Sequence, residues 1–119
     1  ALFSVVNASL QGANFGNMLV NHYRNGKDWI NPHSDKEKGI TKKHGVLTLS
    51  VGAARTLRIR RRDRAKFESG KAYMDFVARE GYVLQMKGDF QQTFTHEITR
   101  STKIDAPRTS LTFRELAPN

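Results

Sequence analysis

Short runs in which apolar and polar residues alternate recur along most of the chain, and Gly or Pro residues separate them. Successive side chains of a β-strand point to opposite faces, so this alternation predicts half-buried strands bounded by turns. The predicted strands cover residues 17–23, 46–51, 56–60, 72–77, 82–86, 94–99 and 109–115, with another near Trp29. Residues 1–10 fit either a helix or a loop. The pattern therefore predicts an all-β barrel or sandwich.

Length and composition narrow the class of protein. A chain of 119 residues with 38% hydrophobic residues can form one domain around a single core. No apolar run approaches the roughly 20 residues that span a bilayer, so no membrane partner is expected. The first ten residues lack the basic region of a signal peptide, and we expect an intracellular protein. Cysteine is absent, so a metal site must use His, Asp or Glu.

The charge is strongly basic, with 20 Lys and Arg against 11 Asp and Glu and a formal net charge of +9. Leu57 and Ile59 share one face of their predicted strand, which leaves a basic outer face that continues into the next turn. The candidate phosphate-binding residues on it are Arg58, Arg60, Arg61 and Arg62. An excess of basic residues favours a polyanionic partner such as nucleic acid. An ordinary solvated face is the alternative.

His33 and Asp35 lie two residues apart at a predicted strand end, so their side chains point the same way. One imidazole and one carboxylate can bind a single cation, and His96 is the best candidate for a third ligand. Two His and one carboxylate form the facial triad of non-haem Fe(II) oxygenases. Structural hydrogen-bonded histidines are the alternative, and His22 and His44 are assigned to that ordinary class.

Arg108, Ser110 and Arg114 share one face of the last predicted strand. A buried Arg is costly unless an anion pairs with it, so a bound dicarboxylate would satisfy two such arginines. Asn21 and Tyr23 share a face of an early strand and can hydrogen-bond a carboxylate. Surface arginines on an edge strand are the alternative. Six extended residues span about 20 Å, so the strand must bend or the long side chains must converge.

Taken in this order, these motifs resemble the AlkB-like family of Fe(II)- and 2-oxoglutarate-dependent dioxygenases. The resemblance runs from about Phe15 to Glu115 and includes further stretches at residues 49–57 and 86–88. It implies a mainly β fold, the double-stranded β-helix or jelly-roll. It also implies Fe(II) at His33, Asp35 and His96, with dioxygen as co-substrate.

The resemblance further implies how 2-oxoglutarate is held. Asn21 and Arg114 match positions that bind its carboxylate next to iron, whereas Tyr23 and Arg108 match those that bind the distal carboxylate. The family commonly has Asn where this chain has Ser110, whose hydroxyl has a shorter reach.

The function implied is oxidative demethylation of N-methylated bases such as 1-methyladenine or 3-methylcytosine in DNA or RNA, with release of formaldehyde and succinate. Glu37 matches an acid that contacts the flipped base, and balancing neighbouring lysines is its alternative role. Residues 1–14 are interpreted as the remnant of a lid and 15–119 as the catalytic domain, acting as a monomer. Phe3 and Trp29 could stack on a base, but a place in the core is favoured for both. A same-fold dioxygenase acting on protein or a small molecule, and a non-catalytic nucleic-acid-binding jelly-roll, are the alternative functions.

Overall fold

The structure, a computed structural model, describes residues 2–36 and 38–118. These residues form two helices and eight strands. They are α1 (Leu2–Ser9), β1 (Asn17–Tyr23), β2 (Ile30–His33), β3 (Val46–Gly52), β4 (Arg55–Arg61), β5 (Met74–Ala78), β6 (Val83–Met86), α2 (Phe90–Thr93), β7 (Phe94–Ile98) and β8 (Arg108–Arg114).

The strands form two four-stranded antiparallel sheets. The first has the order β1-β8-β3-β6 and the second the order β2-β7-β4-β5. The chain crosses repeatedly from one sheet to the other, so neighbouring strands within a sheet are far apart in sequence. The sheets enclose a cavity lined by residues of both. This arrangement confirms the predicted all-β jelly-roll.

The alternation pattern located the strands well because burial follows it. In β4, Leu57 and Ile59 are buried while Arg58 and Arg60 are only partly so. The strand predicted near Trp29 begins at the next residue, as β2. The short helix α2 was not predicted, because four residues are too few to show a helical period. No helix of the described residues is long and apolar enough to cross a bilayer.

Helix α1 packs on the outer face of the first sheet, away from the enclosed cavity. Val6 of the helix joins Phe15, Leu47 and Phe113 in one buried cluster. Strand alternation places Leu47 and Phe113 on the face opposite to the cavity-lining Thr48 and Thr112. The described part of the N-terminal segment therefore supports the scaffold on this side. Its interpretation as the remnant of a lid stays a prediction.

Buried Glu115 fixes the loops around this outer cluster. Its carboxylate accepts hydrogen bonds from the Asn14 backbone N–H (2.6 Å), the Thr41 hydroxyl (2.6 Å) and His44 Nδ1 (2.9 Å). Burial raises the pKa of Glu115, but these hydrogen bonds outweigh that effect and hold the pKa below its usual value. His44 is therefore a structural residue, as predicted, and the ionised carboxylate is the form that the network stabilises.

Replacing Glu115 with alanine is expected to lower the free energy of unfolding by about 3–5 kcal/mol, because the buried His44 and its neighbours lose their acceptor. Equilibrium denaturation in urea measures this change. Asp89→Ala is the matched control, since its ion pair with Lys42 is exposed and is worth at most about 1 kcal/mol. Equal stabilities of the two variants would contradict a structural role for the network.

Candidate active site

His33, Asp35 and His96 lie together at one end of the cavity between the sheets. His33 is the direct cross-strand partner of His96 in the β2–β7 pair, and their ring centroids are 4.2 Å apart. Asp35 follows two residues after His33. Each of the three offers a ligand atom, and these atoms all lie within 4.8 Å of one another. The antiparallel register therefore brings together His33 and His96, which are 63 residues apart in the sequence.

The hydrogen bonding of His33 and the low pKa of His96 suit metal binding. Nδ1 of His33 lies 2.9 Å from the Asn31 carbonyl oxygen and donates to it, which leaves Nε2 directed towards Asp35 Oδ1 at 3.9 Å. A metal-bound His commonly donates its second ring nitrogen in this way. Burial and the charge of His33 lower the pKa of His96 to about 4. His96 is therefore neutral at physiological pH, the form that coordinates a metal.

Gln91 of α2 fixes Asp35 from behind, and its role was not predicted. Its Oε1 accepts a hydrogen bond from the Asp35 backbone N–H at 2.7 Å, and its Nε2 lies 3.4 Å from Asp35 Oδ2. Ser34, between the two ligands in sequence, is buried and donates to the Phe94 carbonyl oxygen. The loop that carries the carboxylate is thus held at both its backbone and its side chain.

Arg108 lies across the cavity from this cluster and is buried, with 2% of its surface exposed. It donates a hydrogen bond from Nη2 to Ser50 Oγ at 2.9 Å, and its guanidinium also interacts with the Tyr23 hydroxyl. Its Nε and Nη1 are also buried, and neither has a hydrogen-bond partner within residues 2–36 and 38–118. Burial lowers the pKa of Arg108. A buried cation with unused donors facing a cavity is the arrangement that a bound carboxylate would satisfy.

Arg55 provides a contrast, because it is equally buried but both of its terminal nitrogens have partners, and only its Nε lacks one in the described residues. Its two terminal nitrogens donate to main-chain carbonyl oxygens of residues on two loops, namely Asn25, Gly26, Asp28 and Thr99. The ring of Tyr23 is close to both guanidinium groups, with its centroid 5.4 Å from the guanidinium carbon of Arg55 and 5.3 Å from that of Arg108. Arg55 therefore has a structural role, whereas Arg108 faces the cavity.

The remaining residues predicted to hold a dicarboxylate line the same cavity of about 210 Å³. Strand pairing explains this placement, since Asn21 lies opposite Ser110 and Tyr23 opposite Arg108 in the β1–β8 register. Arg114 lies at the metal end, with Nη2 3.8 Å from Asp35 Oδ1. The two arginines lie at the two ends of β8 and line one cavity.

The donor set fits a divalent first-row metal with a chelating diacid. Two imidazoles and one carboxylate suit Fe(II) and leave other coordination positions for ligands. First-row ions bind such atoms at about 2.0–2.2 Å, so ligand atoms up to 4.8 Å apart need only small side-chain rotations to share an ion. Arg108 supplies the complementary charge at the far end of the cavity.

The four arginines predicted to bind phosphate differ in their surroundings. Arg58 and Arg61 form two-point ion pairs with Asp75 and Asp63, at 2.8–3.0 Å, and Arg60 pairs with Glu97 at 3.3 Å. Arg62, in contrast, contacts neutral oxygens, Ser34 Oγ and the Gln91 carbonyl, both at 3.3 Å. The acids neutralise much of the predicted basic face, and phosphate binding by any of the four stays a prediction.

The other residues singled out from the sequence are distributed as follows. His22 is exposed and bonds Thr109, as expected of an ordinary histidine. Phe3 packs edge-on against Phe113 on the outer side of the first sheet, but 37% of its surface is exposed, so its predicted place in the core is wrong. Trp29 was expected in the core, but this prediction is wrong, because 52% of its surface is exposed. Glu37 lies outside the described residues, so its predicted contact with a base stays a prediction.

Comparison with known proteins agrees with this site. The profile of the 2OG-Fe(II) oxygenase superfamily matches residues 2–114. The alpha-ketoglutarate-dependent dioxygenase alkB homolog 3 of Homo sapiens is 32% identical over 111 residues, which cover 91% of this chain and 39% of that protein. The DNA oxidative demethylase ALKBH2 of Bos taurus is 30% identical over 109 residues, covering 90% and 39% respectively.

The chain belongs to the 2OG-Fe(II) oxygenase superfamily, and its resemblance to AlkB proteins is confirmed. Membership implies Fe(II) and 2-oxoglutarate as cofactors and dioxygen as co-substrate. The chain spans about two fifths of the length of the relatives described above, 39% in both cases.

Proposed function

We propose that this protein oxidatively removes methyl groups from N-methylated bases in DNA or RNA, releasing formaldehyde and succinate. One observation carries the proposal: a single cavity places the His33–Asp35–His96 cluster opposite the buried, incompletely bonded Arg108. The names of the relatives, a dioxygenase and a DNA oxidative demethylase, support nucleic acid as the substrate.

In this proposal each side chain has a defined task. His33, Asp35 and His96 hold Fe(II), which supplies the oxidising chemistry together with 2-oxoglutarate and dioxygen. Asn21 and Arg114 bind the carboxylate of 2-oxoglutarate near the metal. Tyr23 and Arg108 bind its distal carboxylate, and Ser110 contributes a hydroxyl between them. Because these groups come from strands of the scaffold, the cofactor is oriented by rigid elements.

The approach of the substrate is supported by a second pocket beside the metal cluster, with a volume of about 500 Å³. Asp35 lines both pockets, and Lys36, Lys42 and Arg62 surround this one. We assign phosphate contact to Lys36 and Arg62, since Lys42 pairs with Asp89 and the other arginines of the predicted basic face also pair with acids. Glu37 follows Lys36 in sequence, and its contact with the exocyclic amine of the base is part of the proposal.

The direct test is formaldehyde release from oligonucleotides that contain 1-methyladenine or 3-methylcytosine, in the presence of Fe(II), 2-oxoglutarate and oxygen. We expect stoichiometric loss of the methyl group by mass spectrometry. Parallel DNA and RNA panels, single- and double-stranded, identify the preferred substrate. Turnover should fall steeply as salt rises, because phosphate contacts release counterions.

Two results would redirect the proposal. Decarboxylation of 2-oxoglutarate with a protein or small-molecule substrate, insensitive to salt, would indicate a dioxygenase of another specificity. Binding of strands without consumption of 2-oxoglutarate would indicate a non-catalytic module.

All proposed metal and cofactor residues belong to one chain, so we infer that a monomer is active. Activity that disappears on dilution below a measured dimer dissociation constant would contradict a monomer.

A further inference from the structure

Trp29 is exposed next to the entrance of the cavity, although a tryptophan is ordinarily well buried. Of its surface, 52% is accessible. It lines a groove of about 460 Å³ together with Lys27 and Asn31, and this groove shares Asn21 and Tyr23 with the cavity lined by the His33–Asp35–His96 cluster. An aromatic side chain therefore borders a groove that adjoins the cavity of the candidate metal ligands.

The side chain of Trp29 is held in a fixed orientation rather than left loose. Its indole N–H donates to Asn31 Oδ1 at 3.1 Å, and the guanidinium carbon of Arg100 lies 5.6 Å from the ring centroid. That contact is within the range of a cation–π interaction. Asn31 and Arg100 therefore fix the orientation of the ring, and about half of its surface remains available to a ligand.

The two loops that carry Trp29 and Arg100 are joined by one buried side chain. Nη2 of Arg55 donates to the Asp28 carbonyl at 2.7 Å and to the Thr99 carbonyl at 2.9 Å, the residues directly before Trp29 and Arg100. Main-chain hydrogen bonds also join Gly26 to Ser101 and to Ile104 at 2.8 Å. The relative position of the aromatic ring and the cation is therefore set by the scaffold before any ligand binds.

The geometry points to a stacking platform for an unpaired nucleobase, formed by Trp29 and Arg100, on the β1–β2 side of the cavity. This inference rests on the proposed nucleic-acid substrate and narrows it to single-stranded or locally unpaired strands. Bases stack on aromatic rings and on guanidinium planes regardless of their sequence. The flanking Lys27 is exposed and lines the groove, where it can contact the phosphate next to the stacked base, and the net charge of +9 favours the same partner.

The chain contains one Trp, so intrinsic tryptophan fluorescence reports on this platform alone. The experiment titrates the protein, without Fe(II) or 2-oxoglutarate, with an unmodified fifteen-nucleotide oligo(dT) (a length of roughly one binding site). We expect saturable quenching by the single strand and much weaker quenching by a blunt duplex of equal length. Binding is measured in parallel by the anisotropy of a labelled oligonucleotide.

Variants separate stacking from general attraction to phosphate. Trp29→Ala should weaken binding of oligo(dT) about 5- to 150-fold, whereas Trp29→Phe should retain most of the affinity, because stacking on a ring persists. Tyr82→Ala is the matched control, since Tyr82 is 55% exposed but lies by the other edge of the sheets, next to β6. It should bind as the unaltered chain does.

Some outcomes would overturn the platform. Unchanged fluorescence while anisotropy reports binding would do so, as would an unaltered dissociation constant for Trp29→Ala. Equally strong quenching by the duplex and by the single strand would indicate general contact with nucleic acid and not stacking. These failures are distinct from failure of the proposed function. Demethylation without quenching removes the platform alone, and saturable quenching without demethylation removes the enzymatic proposal alone.

Discussion

Replacing Asp35 with alanine is expected to abolish formaldehyde release and to weaken binding of Mn(II), a redox-stable substitute for Fe(II), by more than about 100-fold. Substitution of residues that only hydrogen-bond to metal ligands typically lowers metal affinity or activity about 10- to 100-fold. Asp35 is itself a predicted ligand, and among the described residues it is the one carboxylate of the cluster. Isothermal titration with Mn(II) measures the affinity, and turnover of a methylated oligonucleotide measures the activity.

Asp75→Ala is the control for this substitution. It removes the same type of side chain from a partly exposed ion pair with Arg58, distant in the fold from the cluster. Metal affinity and turnover should be unchanged in that variant. Circular dichroism and thermal melting establish that both proteins are folded. Turnover by a folded Asp35→Ala protein within tenfold of the original would refute the assignment of the metal centre.

Replacing Arg108 with methionine is expected to raise the dissociation constant for 2-oxoglutarate at least about 100-fold. Two donors of its guanidinium, Nε and Nη1, are buried without partners in the described residues and are available to a carboxylate. Each charge-assisted hydrogen bond contributes about 1.5–3 kcal/mol, so loss of two accounts for this change. The measurement is the rise in melting temperature that 2-oxoglutarate produces in the presence of Mn(II).

The same substitution makes a second, opposite prediction for the ligand-free protein. A buried cation without a counter-ion is costly, and methionine of similar volume removes that cost. Ligand-free Arg108→Met should therefore be at least as stable as the original chain. Arg61→Met, which breaks an exposed pair with Asp63, should leave 2-oxoglutarate binding unaltered. A large loss of stability with retained 2-oxoglutarate binding would assign Arg108 to the scaffold instead.

The strands and the cavity-facing residues were predictable because burial imposes a period of two. Leu57 and Ile59 lie inside, and the residues from Arg108 to Arg114 that share one face also share one cavity. The pairing of His33 with His96 was predicted only as a hypothesis from residue types. It depends on the register between two strands far apart in sequence, which local patterns do not encode.

The features that could not be predicted from the sequence depend on tertiary contacts. The neutralisation of Arg58 and Arg60 depends on Asp75 and Glu97, which lie on neighbouring strands 17 and 37 residues further along. The role of Gln91 depends on a four-residue helix without a detectable period. Trp29 was expected in the core, yet it lies in the loop before β2 and is exposed at the surface. Apolarity predicts burial only on average.

The way in which Arg55 joins two loops has a consequence for variation within this scaffold. It contacts only main-chain oxygens there, which every amino acid provides. The side chains of Lys27, Trp29 and Arg100 are consequently not required to hold the two loops in place. Substitutions at these three positions should change the stability of the fold little. This surface is therefore a suitable place to alter the ligand selectivity of the protein.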